Sequence, residues 1–355
     1  MRDFKVIGLM SGSSLDGVDI AYVNFSHDNK RWFFQIVEAG NIPYTEEWKN
    51  KLSEAFNKNE SELKELDIEY GKYLGTITKK FIKKYEFDPK LIASHGHTIF
   101  HMPEKSYTLQ IGNGQEIANA TGIVTINDFR TEDVKKGGQG APLVPIGDKY
   151  LFADFPICLN IGGIANVSYN IDDQRIAYDI CMANQMLNYL SNKLGYDYDN
   201  NGSFARQGNI NQELLNIFND NPYYDKCHPK SLGREFFEEY QHKIIDNSSL
   251  SIKDLLATAT EHIAYQIVKA TNSLETSKML ITGGGAKNNY LVERIRKMSK
   301  HEIIIPDTMI IDYKEALIFA FLGTLKMEGK INVLSSVTGA SSDSSSGNIC
   351  LPQQL

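Results

Sequence analysis

The chain contains 355 residues with a mass of 40.0 kDa, which exceeds one ordinary core and suits two domains. Hydrophobic residues make up 42% of the chain and charged residues 23%, so wholesale disorder is excluded. Acidic residues outnumber basic ones by 44 to 37, and the net charge of −7 argues against a broad nucleic-acid surface, although it leaves a local basic pocket open.

Targeting signals and cysteine usage indicate the compartment. No apolar run reaches the roughly 18 residues that a membrane span needs, and the apolar stretch before Ser11 is too short for the core of a signal peptide. The four cysteines lie far apart without a Cys-x-x-Cys spacing, which is typical of free thiols in a reducing compartment. These features predict a soluble, cytoplasmic protein that binds neither nucleic acid nor membrane.

The first part of the chain alternates strand and helix patterns. Asn59 and Glu62 form a capping box at the start of a long helix with apolar residues at helical spacing. The predicted strands around this helix are 4–10, 18–25, 31–38, 91–93, 108–111 and 123–126, with a short helix at 115–120.

The strand pattern begins again near residue 157. Strands are predicted at 156–160, 165–170 and 175–179, followed by helices at 184–193, 212–219, 234–245 and 250–272, a strand at 279–282, a helix from about 288 and a last helix at 314–327. Strand, Gly-rich turn, strand and further strand therefore occur twice, 150 residues apart when Gly12 and Gly162 are compared. Two similar α/β halves explain this repeat; the alternative is that any two hairpins look alike.

Three Gly-rich turns lie at predicted strand ends, at residues 12–17, 162–163 and 283–285. Glycines let the backbone approach a bound group closely, and successive turn N–H groups can bind phosphate oxygens. None of the turns matches the P-loop or the Rossmann fingerprint. Each alone is most simply a tight turn, but the three together favour a nucleotide bound between two halves.

Several segments resemble the anhydro-N-acetylmuramic acid kinase family. They include GLMSGSSLDGVDIA at residues 8–21, SHGHTIFH at 94–101, DFRTEDVKKGGQGAPLVP at 128–145, NIGGIANVS at 160–168 and TGGGAKN at 282–288, and they occur in the family's order. The resemblance implies an α/β, two-lobed actin/hexokinase-like ATPase fold with duplicated α/β domains and a central cleft. We expect residues 1–128 and 314–355 in the first lobe and 129–313 in the second.

The resemblance also implies a reaction. With ATP and Mg²⁺, such an enzyme hydrolytically opens 1,6-anhydro-N-acetylmuramic acid and phosphorylates its 6-oxygen, giving N-acetylmuramic acid 6-phosphate and ADP in cell-wall recycling. Two alternatives stay open: a kinase of the same fold for another sugar, and a non-catalytic nucleotide-dependent binding protein. The expected partner is a small amino sugar, and a homodimer is left open.

Matching the family motifs residue by residue implies the nucleotide contacts. They are Gly12, Ser13, Ser14, Leu15, Asp16, Gly17, Val18 and Asp19 in the first hairpin, Gly162, Gly163 and Asn166 in the second, and Gly283, Gly284, Gly285 and Asn288 at the adenosine end. Carboxylates beside a triphosphate repel it unless Mg²⁺ or its waters intervene, so Asp16 is expected to be an outer-sphere metal partner. The plain alternative for Asp16 is an Asp-Gly turn.

The same matching implies two catalytic carboxylates, Asp179 as the base and Glu315 near the sugar. The residues expected on the sugar side are His97, Arg130, Asp133, Lys230 and Arg234. A guanidinium suits the lactyl carboxylate of a muramic acid, although a surface ion-pair network also accounts for these charges. Asp179 has the alternative of capping the next helix or holding a turn, and Glu315 that of a first-turn carboxylate.

One segment departs from the family. Between Asp179 and Asn184 the family has Thr-Gly-Pro-Gly or a close variant, whereas this chain has Ile-Cys-Met-Ala. The loss of a hydroxyl and two glycines next to the expected base is predicted to affect the choice of sugar more than the ATP chemistry.

Overall fold

The computed structural model describes residues 2–12, 14–28, 30–172 and 174–353, without the side chain of Arg234. Its contacts divide the chain into unit 1, formed by Met1–Leu151 with Tyr313–Leu355, and unit 2, formed by Phe152–Asp312. The strands and helices alternate, as the α/β prediction requires.

The boundary between the units differs from the predicted one, because segment 129–151 belongs to unit 1. Within this segment Asp148 forms a buried ion pair with Lys314 at 2.8 Å. Asp133 accepts a hydrogen bond from the hydroxyl of Thr338 at 2.7 Å. These buried polar contacts fix the segment to the C-terminal part of the chain.

The strands are β1 (Arg2–Met10), β2 (Gly17–His27), β3 (Trp32–Pro43), β4 (Leu91–Ser94), β5 (His97–Met102), β6 (Tyr107–Ile111), β7 (Thr125–Asn127), β8 (Ile157–Ile161), β9 (Ile164–Ile171), β10 (Gln174–Met182), β11 (Lys278–Thr282), β12 (Glu302–Ile304) and β13 (Asn348–Cys350).

The α-helices are α1 (Glu46–Ser53), α2 (Glu60–Tyr85), α3 (Gly114–Thr121), α4 (Thr131–Lys135), α5 (Pro145–Tyr150), α6 (Asn184–Asn192), α7 (Gln212–Asn219), α8 (Arg234–Phe236), α9 (His242–Asp246), α10 (Ile252–Thr271), α11 (Asn289–Met298), α12 (Thr308–Met327) and α13 (Ser335–Thr338). A π-helical turn, Phe237–Gln241, joins α8 to α9. Among the described residues, no helix is long and apolar enough to cross a bilayer.

The main sheets of the two units have the same connectivity. In unit 1, β1, β2 and β3 form an antiparallel meander, β4 pairs parallel with β1, and β7 pairs parallel with β4. In unit 2, β8, β9 and β10 form the same meander, β11 pairs parallel with β8, and β12 with β11. Unit 1 adds β13, which is antiparallel to β7. The repeated topology confirms the predicted duplication.

Helices cover the sheets because parallel strands need long crossover connections. The long helix α2 begins at Asn59, whose side chain accepts from the backbone of Glu62 while the Glu62 carboxylate accepts from the Asn59 N–H, so the predicted capping box is confirmed. Its apolar stripe, which includes Leu66 and Leu74, is buried in the unit 1 core. Each such side chain contributes about 1.5–3 kcal/mol to folding. In unit 2, α10 is buried on most of its surface.

Candidate functional site

The β1–β2 hairpin of unit 1 contains the first Gly-rich turn. A methyl group added at Gly17 would lie 2.4 Å from the carbonyl oxygen of Ile42, so strand packing itself requires glycine there. A methyl group at Gly12 would meet nothing closer than the hydroxyl oxygen of Ser14 at 3.8 Å among the described atoms. The fold therefore explains Gly17, whereas Gly12 leaves open space in which a bound group can approach the backbone.

Side chains in this turn divide into exposed polar and internal apolar ones. Ser14 and Asp16 are exposed, and the Ser14 hydroxyl donates to the Asp16 carboxylate at 2.7 Å. Val18 is buried and Leu15 packs against the unit 1 core, so only their backbone atoms can face a ligand. Ser13 lies outside the described residues.

The β8–β9 hairpin of unit 2 contains the second Gly-rich turn. The carbonyl oxygens of Gly162 and Gly163 accept from the N–H groups of Asn184 at 3.0 Å and Ala183 at 2.8 Å, which tie the turn to the start of α6. A methyl group at either glycine would stay 3.5 Å or more from its surroundings. Nothing in the described structure thus demands glycine at these two positions. Asn166 is half-buried on β9, two residues beyond the hairpin's return.

The third Gly-rich turn follows β11. Packing requires glycine at two of its positions, whereas the third has space for a methyl group. Gly283 has φ +80°, and an added methyl group would lie 2.7 Å from the side-chain oxygen of Asn160. A methyl group at Gly285 would lie 2.2 Å from the side chain of Ile161. Gly284 has only the Asn184 amide at 3.5 Å. Gly283 and Gly285 therefore allow the turn to pack on β8, while Gly284 is open.

A cavity of about 510 Å³ lies next to this turn, entirely within unit 2. Asn288, which caps α11 by accepting from the N–H of Leu291 at 3.0 Å, forms part of its wall. Lys287 also lines it and is paired with Asp312. The lining residues are Asn184, Leu187, Asn188, Tyr198, Asp199, Asn200, Asn201, Gly284, Lys287 and Asn288.

Residues 198–201 build one wall of this cavity and were not among the predicted site residues. Asp199 orders this loop, because its two carboxylate oxygens accept from the backbone N–H groups of Phe204 at 2.8 Å and Ala205 at 2.9 Å. The neighbouring ring of Tyr198 is 62% exposed, which is unusual for so large an aromatic side chain. The sequence feature at this position is an acidic turn with two asparagines, which predicts a turn but not a cavity.

Asp179 lies within β10, three residues before the strand ends, whereas the predicted strand ended at Asp179 itself. It pairs with Asn166, and the register shifts between Asp179 and Cys181. Such a β-bulge bends a strand and redirects its side chains. One carboxylate oxygen of Asp179 accepts from the N–H of Leu232 at 2.9 Å, and its carbonyl oxygen accepts from the hydroxyl of Tyr223 at 2.6 Å.

Burial sets the proton affinity of this carboxylate. It raises the pKa of Asp179 above its usual 3.8, and the Leu232 N–H partly opposes that rise. The capping alternative is excluded, because residue Ala183 precedes α6 and no side chain caps that helix. The alternative of holding a turn stays open, since the Leu232 contact holds the loop before α8.

Lys230 packs beside this site instead of presenting a free cation. Its ammonium donates to the carbonyl oxygen of Tyr223 at 3.2 Å and lies over the rings of Tyr223 and Tyr178 at 4.8 and 5.6 Å. Burial lowers its pKa. Lys230 therefore helps to hold the loop beside Asp179, and its contact with a sugar stays a prediction. Arg234 begins α8, and its side chain lies outside the described residues.

Unit 1 holds the second expected catalytic carboxylate, Glu315. The helix α12 is interrupted at Tyr313, whose dihedrals are non-helical (φ −117°, ψ 17°), so Glu315 lies in the first turn of the helical part that follows, as predicted. The Glu315 side chain is exposed, yet the surrounding protein withdraws enough hydration to raise its pKa. Arg130 opposes that rise and Asp19 adds to it. Asp19 itself accepts from the side-chain amide of a β3 asparagine at 2.9 Å.

Arg130 is held on two sides. Its Nε and Nη2 atoms lie 3.2 and 2.9 Å from Nε2 of His95, and its Nη1 donates to the carbonyl oxygen of Gly140 at 2.6 Å. Burial lowers its pKa to about 10, opposed by the charges of Glu315 and Asp133. The guanidinium therefore stays charged at neutral pH and is fixed in place.

Two expected sugar contacts are internal. Asp133 is 1% exposed, and its carboxylate accepts from the N–H of Gly140 at 2.8 Å and from the Thr338 hydroxyl. His97 is 5% exposed, its Nδ1 lies 2.8 Å from the hydroxyl of Ser11, and burial lowers its pKa to about 4. Both side chains are engaged in contacts within unit 1, and their contact with a sugar stays a prediction.

The segment that departs from the family lies in the core of unit 2. Ile180, Cys181, Met182 and Ala183 are each at most 2% exposed and belong to the unit's hydrophobic cluster. Their side chains, larger than those of the family's residues, fill the interior. The substitutions therefore alter the packing beneath Asp179 and not the polar groups exposed around it.

Comparisons with known proteins give a consistent picture. A family model described as anhydro-N-acetylmuramic acid kinase matches residues 4–352. Two relatives with that name, from Sulfurimonas denitrificans and Pasteurella multocida, are 32% and 35% identical; the alignments cover 97% of this chain and 98% and 96% of theirs. Among solved structures, the activator of the 2-hydroxyisocaproyl-CoA dehydratase from Clostridium difficile with bound ADPNP is 15% identical, with a TM-score of 0.46, covering 92% of this chain and 96% of that chain.

Proposed function

This chain belongs to the anhydro-N-acetylmuramic acid kinase family, and we propose that it converts 1,6-anhydro-N-acetylmuramic acid, ATP and water to N-acetylmuramic acid 6-phosphate and ADP. This reaction returns cell-wall fragments to metabolism, and its need for ATP supports a cytoplasmic location. The observation that carries the proposal is the Asp179 carboxylate, which is half-buried, held by one N–H donor and raised in pKa.

Asp179 is proposed to act as the general base. The Leu232 N–H engages one carboxylate oxygen and orients the group. The other oxygen then has the lone pairs to accept a hydrogen bond from water. Because burial raises its pKa, the carboxylate is a stronger base than an exposed aspartate.

In the proposed reaction, the water oxygen bonds to the anomeric carbon while its proton passes to Asp179, and the bond from that carbon to the 6-oxygen breaks. The freed 6-oxygen takes the γ-phosphoryl group of ATP, and ADP leaves. Base catalysis of this kind typically contributes about 10²–10⁴-fold to the rate.

The glycine contrast supports the proposed nucleotide contacts in unit 2. Gly162, Gly163 and Gly284 have room for a methyl group, so the fold alone does not explain their glycines. Close approach of a phosphate or ribose group to the backbone would explain these three glycines. We place the adenosine in the cavity beside Gly284, where the exposed ring of Tyr198 offers a stacking face.

The unit 1 hairpin is proposed to bind phosphate through its backbone and the hydroxyl of Ser14. The described residues contain no cluster of three or more histidine, cysteine, aspartate or glutamate side chains that could hold a metal ion. The exposed Asp16 fits a Mg²⁺ ion that keeps its waters and is carried mainly by ATP, because Mg²⁺ commonly uses few protein carboxylates. When bound, the ion neutralises phosphate charge; Asp16 would hold one of its waters.

Arg130 and Glu315 are proposed to contact the sugar. The charged guanidinium suits the lactyl carboxylate, and the exposed carboxylate of Glu315 can accept from sugar hydroxyls. Both groups belong to unit 1 and influence each other's pKa.

The test is to incubate the protein with ATP, Mg²⁺ and either the anhydro sugar or its opened form, and to identify products by mass spectrometry. We expect N-acetylmuramic acid 6-phosphate and ADP from the anhydro sugar. Product formed only from the opened sugar, or from another hexose, would support a different sugar kinase. Nucleotide binding without turnover of any sugar would support a binding protein.

A further inference from the structure

The imidazole of His95 is a hydrogen-bond acceptor for a guanidinium. Its Nε2 receives Nε and Nη2 of Arg130 at 3.2 and 2.9 Å. A guanidinium has only donors, so Nε2 must carry a lone pair. The Nδ1 atom lies 2.9 Å from the carbonyl oxygen of Gly96, which only accepts, so Nδ1 carries the proton. The contacts thus assign one neutral tautomer.

The surroundings of His95 preserve this neutral state. The ring is 5% exposed and packs against Phe319 with 4.7 Å between ring centroids. Burial lowers the pKa of His95 well below its usual 6.5, and the charges of Arg130 and His97 lower it further. Arg130 in turn faces Glu315 and the buried Asp133.

A second chain of contacts holds the other side of the guanidinium. Nη1 of Arg130 donates to the carbonyl oxygen of Gly140, whose N–H donates to Asp133, whose carboxylate also accepts from Thr338. The described contacts engage three of the five N–H groups of an arginine and leave one on each terminal nitrogen. Two such donors match the two oxygens of one carboxylate.

We propose that His95 is a positioning residue that fixes Arg130 for the carboxylate of the substrate, so that His95 determines selectivity for an acidic sugar without touching it. The inference rests on the proposed function. A neutral acceptor suits this task better than a carboxylate, because it orients the guanidinium and leaves its positive charge available to the ligand.

The test compares the anhydro sugar with its analogue in which the lactyl carboxylate is replaced by carboxamide. Dissociation constants for both are measured by calorimetry for the wild type, His95→Phe and His95→Gln. Phenylalanine keeps a ring beside Phe319 but accepts no hydrogen bond, so we expect the preference for carboxylate over carboxamide to fall about tenfold. Glutamine keeps an acceptor oxygen and should retain most of the preference.

His101→Phe is the matched control, because His101 lies in the same segment, is exposed and bonds to Thr108 instead of Arg130. It should leave the preference unchanged. A His95→Phe protein that binds both sugars more weakly by the same factor, or binds both normally, overturns the inference. Failure of the wild type to bind the anhydro sugar at all would instead refute the proposed function.

A second readout does not depend on any variant. In ¹⁵N spectra of the wild type, His95 should show a protonated Nδ1 and an unprotonated Nε2 throughout pH 5.5–8, a range chosen to span the usual histidine pKa of about 6.5. Titration of its ring near that pKa, or a proton on Nε2, would contradict the assigned contact with Arg130.

Discussion

At the scale of single residues, the central prediction concerns Asp179→Asn. The amide keeps an oxygen that can accept from Leu232 but is no useful base, so turnover should fall by about 100-fold or more while nucleotide and sugar binding persist. The measurement is kcat by coupled ADP assay together with both dissociation constants. Asp225→Asn is the control, since Asp225 is ion-paired with Lys269 nearby in unit 2, and its turnover should stay near the wild type. Unchanged turnover in Asp179→Asn would remove Asp179 as the base.

The same substitution has a predictable effect on stability. The folded pKa of Asp179 lies above its usual 3.8 because burial disfavours the charged form. This group's contribution to stability is therefore greatest below that pH and is lost as pH rises through the raised value. Asp179→Asn removes the buried charge, so its melting temperature should exceed that of the wild type near neutral pH, with a smaller difference in acid. A difference in melting temperature that grows toward low pH would show that the charged form of Asp179 does not destabilise the folded protein.

Sequence motifs identified the glycine-rich turns, but they could not show which of the polar side chains are buried. The glycine turns stood out because glycine has few other uses in such clusters. Asp133 and His97 have the residue types of ligand contacts, but their partners Thr338 and Ser11 are distant in sequence. No local pattern could show that these side chains point inward. His95 was overlooked as a functional residue for the same reason, since only the fold brings it to Arg130.

At the scale of elements, the turn after β11 allows a matched pair of substitutions. Gly284→Ala meets open space, so we expect an unchanged melting temperature but about tenfold weaker nucleotide binding. Gly285→Ala drives a methyl group into Ile161 and should cost about 1–3 kcal/mol of stability. Thermal melts and titration with a non-hydrolysable ATP analogue measure both. Normal nucleotide affinity in Gly284→Ala would argue against a ligand at this turn.

The capping box of α2 gives a stability prediction remote from the site. Asn59→Ala removes the acceptor for the first-turn N–H groups and should lower the free energy of unfolding by about 1 kcal/mol without changing kcat. Denaturant unfolding checks the first part and the ADP assay the second. The neighbouring Lys58→Ala, which leaves the Asn59 acceptor in place, should leave both quantities unchanged. An equal loss of stability in both variants would show that the cap is not its cause.

Element prediction was accurate where periodicity or capping was strong. The helix α7 has the predicted bounds, and α2 begins at its predicted cap. The strand β5, His97–Met102, was not predicted because histidine and threonine interrupt its apolar pattern. The short α1 was missed because only Trp48 and Leu52 of its eight residues are buried.

At the scale of the whole molecule, the two hairpins favoured a duplicated topology without excluding a chance likeness, and the sheet order confirms the duplication. The assignment of segment 129–151 was not evident, because the contacts that place it in unit 1 come from Lys314 and Thr338. Sequence patterns describe neighbours along the chain, whereas a domain boundary depends on contacts between distant segments.

The most direct test of the account is a single turnover in ¹⁸O-labelled water with the anhydro sugar, ATP and Mg²⁺, followed by rapid quenching and mass spectrometry of the product. If water attacks the anomeric carbon and the freed 6-oxygen takes the phosphoryl group, the product carries one ¹⁸O on that carbon and none in its phosphate. Label in the phosphate, or a phosphorylated product that contains no ¹⁸O, would contradict the coupled reaction that Asp179 is proposed to initiate.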